Sequence, residues 1–328
     1  NNAIDTDENN LMLGPDFGNL SDEEACEKIL DVKILSRARP LDKLRLVKLL
    51  QKKDQIVAVT GDGTNDAPAL NYANVGLSMG KTGTAIAKQA SDIILLDDSF
   101  TSIVNAVMWG RSLYQNIQRF LLFQLTINLL ALAIVLLGPF IGVQLTLTVP
   151  QMIWVNLIMD TFAALALATQ PPSKSVMKQK PRKPGDFIIT KPMFKTIIIS
   201  AFSFIVILLT TIFLMEKSDG KITEYELSIF FTLFVLLQFW NLFNVKTLGT
   251  NYSTFHNFFS NKNFLVISGF ILVMQIIIVE FGGKLFRTVP LAFTDWILLI
   301  AGSSIVLWVG EFFRLLKRIR VNKKSYTK

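Results

Sequence analysis

Two patterns of apolar and polar positions divide the chain. In the first third, short apolar runs alternate with helical patterns. Residues 34–36 and 56–60 read as strands, 41–52 as an amphipathic helix and 67–72 as a short helix; 75–79 and 92–96 are two further strands, separated by a helical stretch at 84–90. Alternation of strand and helix predicts a parallel sheet. Residues 120–159 then carry no charged side chain, and Gly138-Pro139 interrupts this run near its middle. That gives two membrane crossings of about 20 residues each. Apolar stretches at 196–215, 227–245, 264–279 and 296–310 bring the expected spans to six. The last two uncharged cores are short, so their helices must extend into polar flanks. The six helices are expected at about 113–138, 147–169, 193–215, 226–247, 263–281 and 293–316. The domain division is a polar portion, 1–110, and a membrane portion, 111–328.

Composition agrees with that division. At 51% hydrophobic and 18% charged over 328 residues, the chain is too apolar for two ordinary soluble domains. Residues 1–119 have a net charge of −3 and residues 120–328 of +11, so the basic excess belongs to the apolar part. No Lys/Arg run with interleaved aromatics lies in the polar part, which excludes nucleic acid as an expected partner. The loop at 173–195 carries seven Lys/Arg, the 246–263 loop two and the tail from Arg314 seven, against two each around 217–221 and 284–287. By the positive-inside rule, the polar portion and the tail are cytosolic in a multi-pass integral membrane protein, with the tail on anionic headgroups. The single cysteine, Cys26, forms no intrachain disulfide and fits a reducing compartment. The polar portion holds four strands with no obvious start, and the chain opens on Asn1-Asn2-Ala3-Ile4; it is expected to be part of a longer protein, with no signal peptide before it.

Ile56-Val57-Ala58-Val59 runs into Thr60-Gly61-Asp62-Gly63-Thr64-Asn65-Asp66-Ala67-Pro68-Ala69-Leu70. Ligands of open α/β sheets bind at the carboxyl ends of strands, where this loop starts. Its glycines let a phosphate approach the backbone, and Asp62 and Asp66, with Asn65 between them, offer hard oxygens suited to Mg2+. The same letters also read as a strand-to-helix turn in which Asp66 caps the next helix.

Thr60–Leu70 resembles the TGDGxNDxPAL hinge motif of P-type ion-pumping ATPases, and Arg37-Ala38-Arg39-Pro40-Leu41-Asp42-Lys43 resembles the Arg-x-x-Pro-x-x-Lys segment before it. Met79-Gly80-Lys81-Thr82-Gly83-Thr84, Ala90-Ser91-Asp92-Ile93-Ile94-Leu95 and Gly110-Arg111-x-x-Tyr114 fall in that family's order. The resemblance implies an α/β fold joined to a membrane all-α one: part of a haloacid-dehalogenase-like (Rossmannoid) phosphorylation domain, then a six-helix transmembrane bundle whose first span acts as a connecting rod. It also implies roles. Asp62 would hold Mg2+ at the phosphorylated aspartate, Lys43 would neutralise the transferred phosphoryl group, and Asn65 and Asp66 would fix the loop and metal, with Thr60 and Gly61 opening the motif. Lys81-Thr82-Gly83-Thr84 spells four letters of the phosphorylation motif, but Gly80 stands where the nucleophilic Asp would be. The nucleophile and most of the ATP-binding machinery are therefore expected upstream, and this chain alone is not expected to turn over ATP.

Asp160 is the first ionisable residue after the uncharged run. A carboxylate in a membrane segment reads as an ion or proton site, because burying its charge costs about 2.5–3.5 kcal/mol. Asn156, four residues earlier, is expected on the same helix face. Asn128 in the preceding span either lines that site or hydrogen-bonds between helices. The stretches 110–128 and 150–160 resemble calcium pumps, and calcium accepts amide carbonyls and carboxylates in loose coordination. Reticulum-type calcium pumps carry Glu, Thr and Glu where this sequence has Ala131, Met159 and Gln238; the departures resemble the plasma-membrane type, thought to move one calcium per cycle. Gln238 is then a neutral ligand or a packing residue. His256 is expected at the surface, and the aromatics at 230–240 and 255–259 are expected to face lipid as a belt. Together these readings predict ATP-driven export of calcium through an aspartyl-phosphate intermediate at the plasma membrane, with membrane lipid and the N-terminal part of the same pump as partners. A pump for another cation such as manganese, or a non-catalytic truncated membrane subunit, is the alternative.

Overall fold

The computed structural model describes residues 10–141, 147–179, 182, 185–219, 222–250, 252–256 and 258–326. It falls into two compact units, Asn1–Met108 with Gln179–Asp186 and Trp109–Lys178 with Phe187–Lys328.

In the first unit the order is β1 (Leu11–Leu13), α1 (Gly14–Asn19), α2 (Asp22–Lys28), β2 (Ile34–Ser36), α3 (Pro40–Lys52), β3 (Ala58–Gly61), α4 (Ala67–Tyr72), β4 (Val75–Met79), α5 (Ala85–Gln89) and β5 (Ile93–Leu95). The strands are parallel as expected, but they form two small sheets among the described residues rather than one. β1 pairs with β2, and β3, β4 and β5 lie in that order with Ala58 opposite Val75 and Leu77 opposite Ile93. The first sheet needs β1, α1 and α2, which the apolar pattern does not announce because Leu11 and Leu13 are exposed. A local signal for α2 was nevertheless present: Ser21 and Glu24 form a reciprocal capping box at its start. β3 begins two residues later than expected because the Asn74 side chain takes the Val57 amide at 2.9 Å. β4 is the central strand, buried at Gly76, Leu77 and Ser78. A Cβ at Gly76 would run into the Leu70 backbone, so α4 lies directly against β4 and the chain between β3 and α4 is held from both ends.

The second unit carries α6 (Phe100–Leu137, which begins in the first), α7 (Val149–Ile153), α8 (Asp160–Ala168), α9 (Lys191–Asp219), α10 (Glu224–Lys246), α11 (Lys262–Phe281), α12 (Gly283–Phe286), α13 (Phe293–Ser303) and α14 (Ile305–Tyr326). Six candidate spans result among the described residues: Phe100–Phe140, Val149–Ala168, Lys191–Met215, Glu224–Lys246, Lys262–Phe281 and Phe293–Ile319. The chain is that of an integral membrane protein, and its last two helices do extend beyond their uncharged cores.

Three expectations about this unit need correction. The second crossing is not uniformly α-helical: between α7 and α8 the residues Trp154–Met159 are π-wound. The aromatics of α10 do not face lipid. Phe230, Phe231, Phe234 and Phe239 are buried, and α10 lies against α9, α11, α13 and α14, because a helix apolar on every side gains most by taking the centre of a bundle. Finally, Arg314 is not a headgroup-facing tail residue. Its partly buried guanidinium sits in a network with Glu311 at 3.0 Å, Asn244 at 2.8 Å and Thr254 at 2.9 Å. A buried cation, Arg119 of α6, donates to Asn116 Oδ1 at 2.8 Å and to the Leu248 carbonyl just past α10. Asn116 in turn donates to the Ala168 and Gln170 carbonyls at the end of α8, so α6 satisfies orphan carbonyls at two helix C-termini.

Candidate functional site

The loop after β3 is organised around Asp66. A 3₁₀ turn at Thr64–Asp66 leads into α4, whose first turn carries Pro68. The turn places Asp66, 7% exposed, beside the end of β3. Lys43, on the first turns of α3, donates to Asp66 Oδ1 at 2.6 Å, and the Gly63 amide donates to Oδ2 at 3.3 Å. A Cβ on Gly61 would collide with the Asp66 carboxylate, so glycine there is a steric requirement. Burial opposes ionisation of Asp66, but the Lys43 hydrogen bond and charge, with the Gly63 and Asp62 amides, outweigh it. The net effect holds its pKa below the ordinary carboxylate range. Asp66 is the N-cap residue of α4 but makes no side-chain cap bond there; its carboxylate instead accepts the Gly63 amide at the start of the 3₁₀ turn.

Thr60, Asp62 and Asn65 are exposed, while Gly61 is buried. The Asp62 carbonyl accepts the Thr84 amide at 2.8 Å, which ties the loop to the start of α5. The donor set fits Mg2+ through Asp62, an exposed hard carboxylate at the end of a parallel strand; both Asp66 oxygens are already engaged by Lys43 and Gly63. Lys81-Thr82-Gly83-Thr84 has a structural use here. The Lys81 and Thr82 amides donate to Asp98 at 3.0 and 2.9 Å, and the Thr84 hydroxyl caps α5 by accepting from Ala87.

In the second unit, Thr148 and Gln151 form the capping box that starts α7, and the π-wound turn then delivers Asp160 to a buried position. Asp160 is 4% exposed, and among the described residues neither carboxylate oxygen has a hydrogen-bond partner. Asn156 is exposed, so the two do not share a buried face as the α-helical spacing predicted. π winding closes hydrogen bonds over five residues rather than four and changes the phase between them. Asn128 is also exposed, on α6, whereas Ala131 and Met159 are buried. Among the described residues, Gln238, fully buried at the centre of α10, has neither amide atom partnered, and Asn241, three residues on, has an unpartnered amide nitrogen. The sequence reading missed Gln275 of α11. It is fully buried, and its Oε1 accepts the Trp154 indole N–H at 2.9 Å. A glutamine inside an otherwise apolar span was the signal that pointed to it. His256 is exposed as expected and stacks on Tyr252, with ring centroids 4.6 Å apart.

A family model described as cation transporting ATPase, C-terminus, matches residues 144–316. Calcium-transporting ATPase 2 of Schizosaccharomyces pombe is 42% identical over 322 residues, covering 95% of this chain and 24% of that protein. Calcium-transporting ATPase 12, plasma membrane-type, of Arabidopsis thaliana is 39% identical over 325 residues, covering 99% and 31% respectively. Calcium-transporting ATPase 5, plasma membrane-type, of Oryza sativa subsp. japonica is 43% identical over 312 residues, covering 92% and 28%. The chain thus spans between about a quarter and a third of the length of these relatives. Its six apolar helices, its buried intramembrane carboxylate and these matches agree, and the chain belongs to the cation-transporting ATPase family.

Proposed function

We propose that this chain is the C-terminal part of a P-type calcium pump, which moves calcium across the plasma membrane at the expense of ATP through an aspartyl-phosphate intermediate. The first unit is part of a haloacid-dehalogenase-like phosphorylation domain, and that unit and the basic tail lie on the cytosolic side, in keeping with the loop charges. The observation that carries the reading is the Asp160 carboxylate, buried in an apolar span with both oxygens unpartnered. A charge in that position is stable only with a cation or a proton. Among the described residues no group of three or more His, Cys, Asp or Glu gathers. The remaining oxygens for calcium would therefore come from the buried amide of Gln238, from backbone carbonyls and from the rest of the longer protein, the exposed Asn156 and Asn128 serving only where that remainder meets them.

In the first unit, Lys43 keeps one N–H on Asp66 and has its others free for the oxygens of a transferred phosphoryl group. Asp66 accepts from that ammonium and from the Gly63 amide; with the exposed Asn65 it would fix the loop and metal, Thr60 and Gly61 opening the motif. Asp62 would hold Mg2+, which when bound neutralises charge developing on the phosphoryl oxygens. The test is ATP-driven uptake of radioactive calcium into sealed vesicles by the whole polypeptide, with acid-stable phosphoenzyme measured alongside. Asp160→Asn should abolish calcium-dependent phosphoenzyme while the protein still accumulates and stays monodisperse. Calcium dependence unchanged in Asp160→Asn would remove the ion site, and absence of phosphoenzyme in the unaltered protein would remove the pump.

A further inference from the structure

We infer that Gln275 is a positioning residue for the cation site, acting through the Trp154 indole on the π-wound turn that leads into Asp160; the inference rests on the pump reading above. α11 follows the second crossing along its length. The Asn261 amide at its start donates to the Thr169 carbonyl at 3.1 Å, Phe270 meets Phe162 with ring centroids 4.6 Å apart, and Gln275 accepts from Trp154 at 2.9 Å. Beyond its other end, the Phe286 carbonyl accepts from Gln151 at 2.8 Å. Phe162 and Trp154 lie on either side of Asp160, two residues after it and six before. Trp154 is also the first residue of the π-wound turn.

Two physical arguments make this clasp more than packing. A π-wound turn is rare and persists where surrounding contacts hold it. Return to α winding would rotate the residues before it by about 100° relative to those after it, which would carry Trp154 off Gln275. The glutamine is also costly where it stands. Its Nε2 is buried without a partner, whereas an aliphatic side chain would fill the same space in an apolar helix without that penalty. What the amide supplies is the acceptor that fixes Trp154, hence the winding, and hence the burial and direction of the Asp160 carboxylate. A ligand held in place before the ion arrives binds it more tightly than one that must be ordered.

The experiment uses the full-length protein in vesicles and compares Gln275→Leu, Trp154→Phe, their double variant and Gln275→Glu, which keeps an acceptor oxygen. Gln275→Leu and Trp154→Phe should each raise the calcium concentration for half-maximal phosphoenzyme about fivefold, the loss of one net hydrogen bond. The double variant should shift no further than either single one, and Gln275→Glu should stay within about twofold of the unaltered protein. The ATP concentration for half-maximal phosphoenzyme should not move, since a general weakening of the fold would move both. Should Gln275→Leu not accumulate, Trp154→Phe against Gln275→Glu makes the same comparison. An unshifted calcium requirement, additive shifts, or equal shifts for calcium and ATP overturn the inference while leaving the pump intact. Absence of calcium-dependent phosphoenzyme in the unaltered protein removes the pump reading, and this inference with it.

Discussion

Replacing Lys43 by Met tests the ion pair that organises the loop after β3. The pair is 2.6 Å apart, with the Asp66 side chain 9% exposed and the Lys43 side chain 48% exposed. Breaking a fully buried pair from one side costs about 3–5 kcal/mol, and an exposed pair is worth under about 1 kcal/mol. With Asp66 buried and Lys43 half in solvent, the loss should be about 1–2 kcal/mol, because the neutral backbone amides that remain, Gly63 at 3.3 Å and Asp62, are weak substitutes for an ammonium. That corresponds to about 5–30 times more frequent opening of the loop. The assay is hydrogen–deuterium exchange of peptides covering residues 58–70 in the intact protein, where the Asp66 amide is bonded to the Gly63 carbonyl at 3.1 Å. Acidification adds a second reading. Because the folded-state pKa of Asp66 is depressed, its stabilisation is present above the ordinary carboxylate pKa and is lost as pH falls through the lowered value. In Lys43→Met, burial is left with less opposition, so protection should fade at a higher pH. Exchange within about twofold of the unaltered protein, or an equal effect of Lys43→Met in an Asp66→Asn background, would refute the coupling.

Three further outcomes follow from the same unit. Gly61→Ala forces a methyl into the Asp66 carboxylate and should cost about 1–3 kcal/mol, visible as lost protection of the same peptides; unchanged exchange would mean that the backbone yields freely. Asp98→Ala removes the acceptor of the Lys81 and Thr82 amides and of the Thr82 hydroxyl, so proteolytic nicking at residues 80–84 should accelerate. The Lys81 amide, ahead of the Thr82 contacts, holds the Asp98 pKa low, and in the unaltered protein the turn should loosen as pH falls through that lowered value. A cleavage rate independent of pH would count against it.

Most of what was legible in the sequence was local or periodic. β4, β2 and α4 lie at their expected residues because short apolar runs bounded by turn residues leave little choice of register, and the six spans followed from the length of uncharged runs. Capping boxes at Ser21, Thr148 and Thr223 are equally local, and reading them would have recovered α2. The exposed β1 offered no such signal. The aromatic run of α10 was misread because composition does not distinguish a helix bathed in lipid from one enclosed by four others.

The candidate sites divide in the same way. Which residues were candidates for the chemistry, namely Lys43, Asp62, Asp66 and Asp160, was legible in residue type, in motif resemblance and in the rarity of a carboxylate in an apolar span. Which of them meet was decided by tertiary structure alone. Lys43 and Asp66 are 23 residues apart and touch because α4 lies against β4 and α3 lies against α4. Asn156 and Asp160 are one helical turn apart in sequence, yet only one is buried; the turn between them is π-wound, and its first residue, Trp154, is bonded to a residue 121 positions away. Sequence sets the short-range preferences of a chain; contacts between distant segments choose among windings whose local free energies differ by less than one such contact supplies.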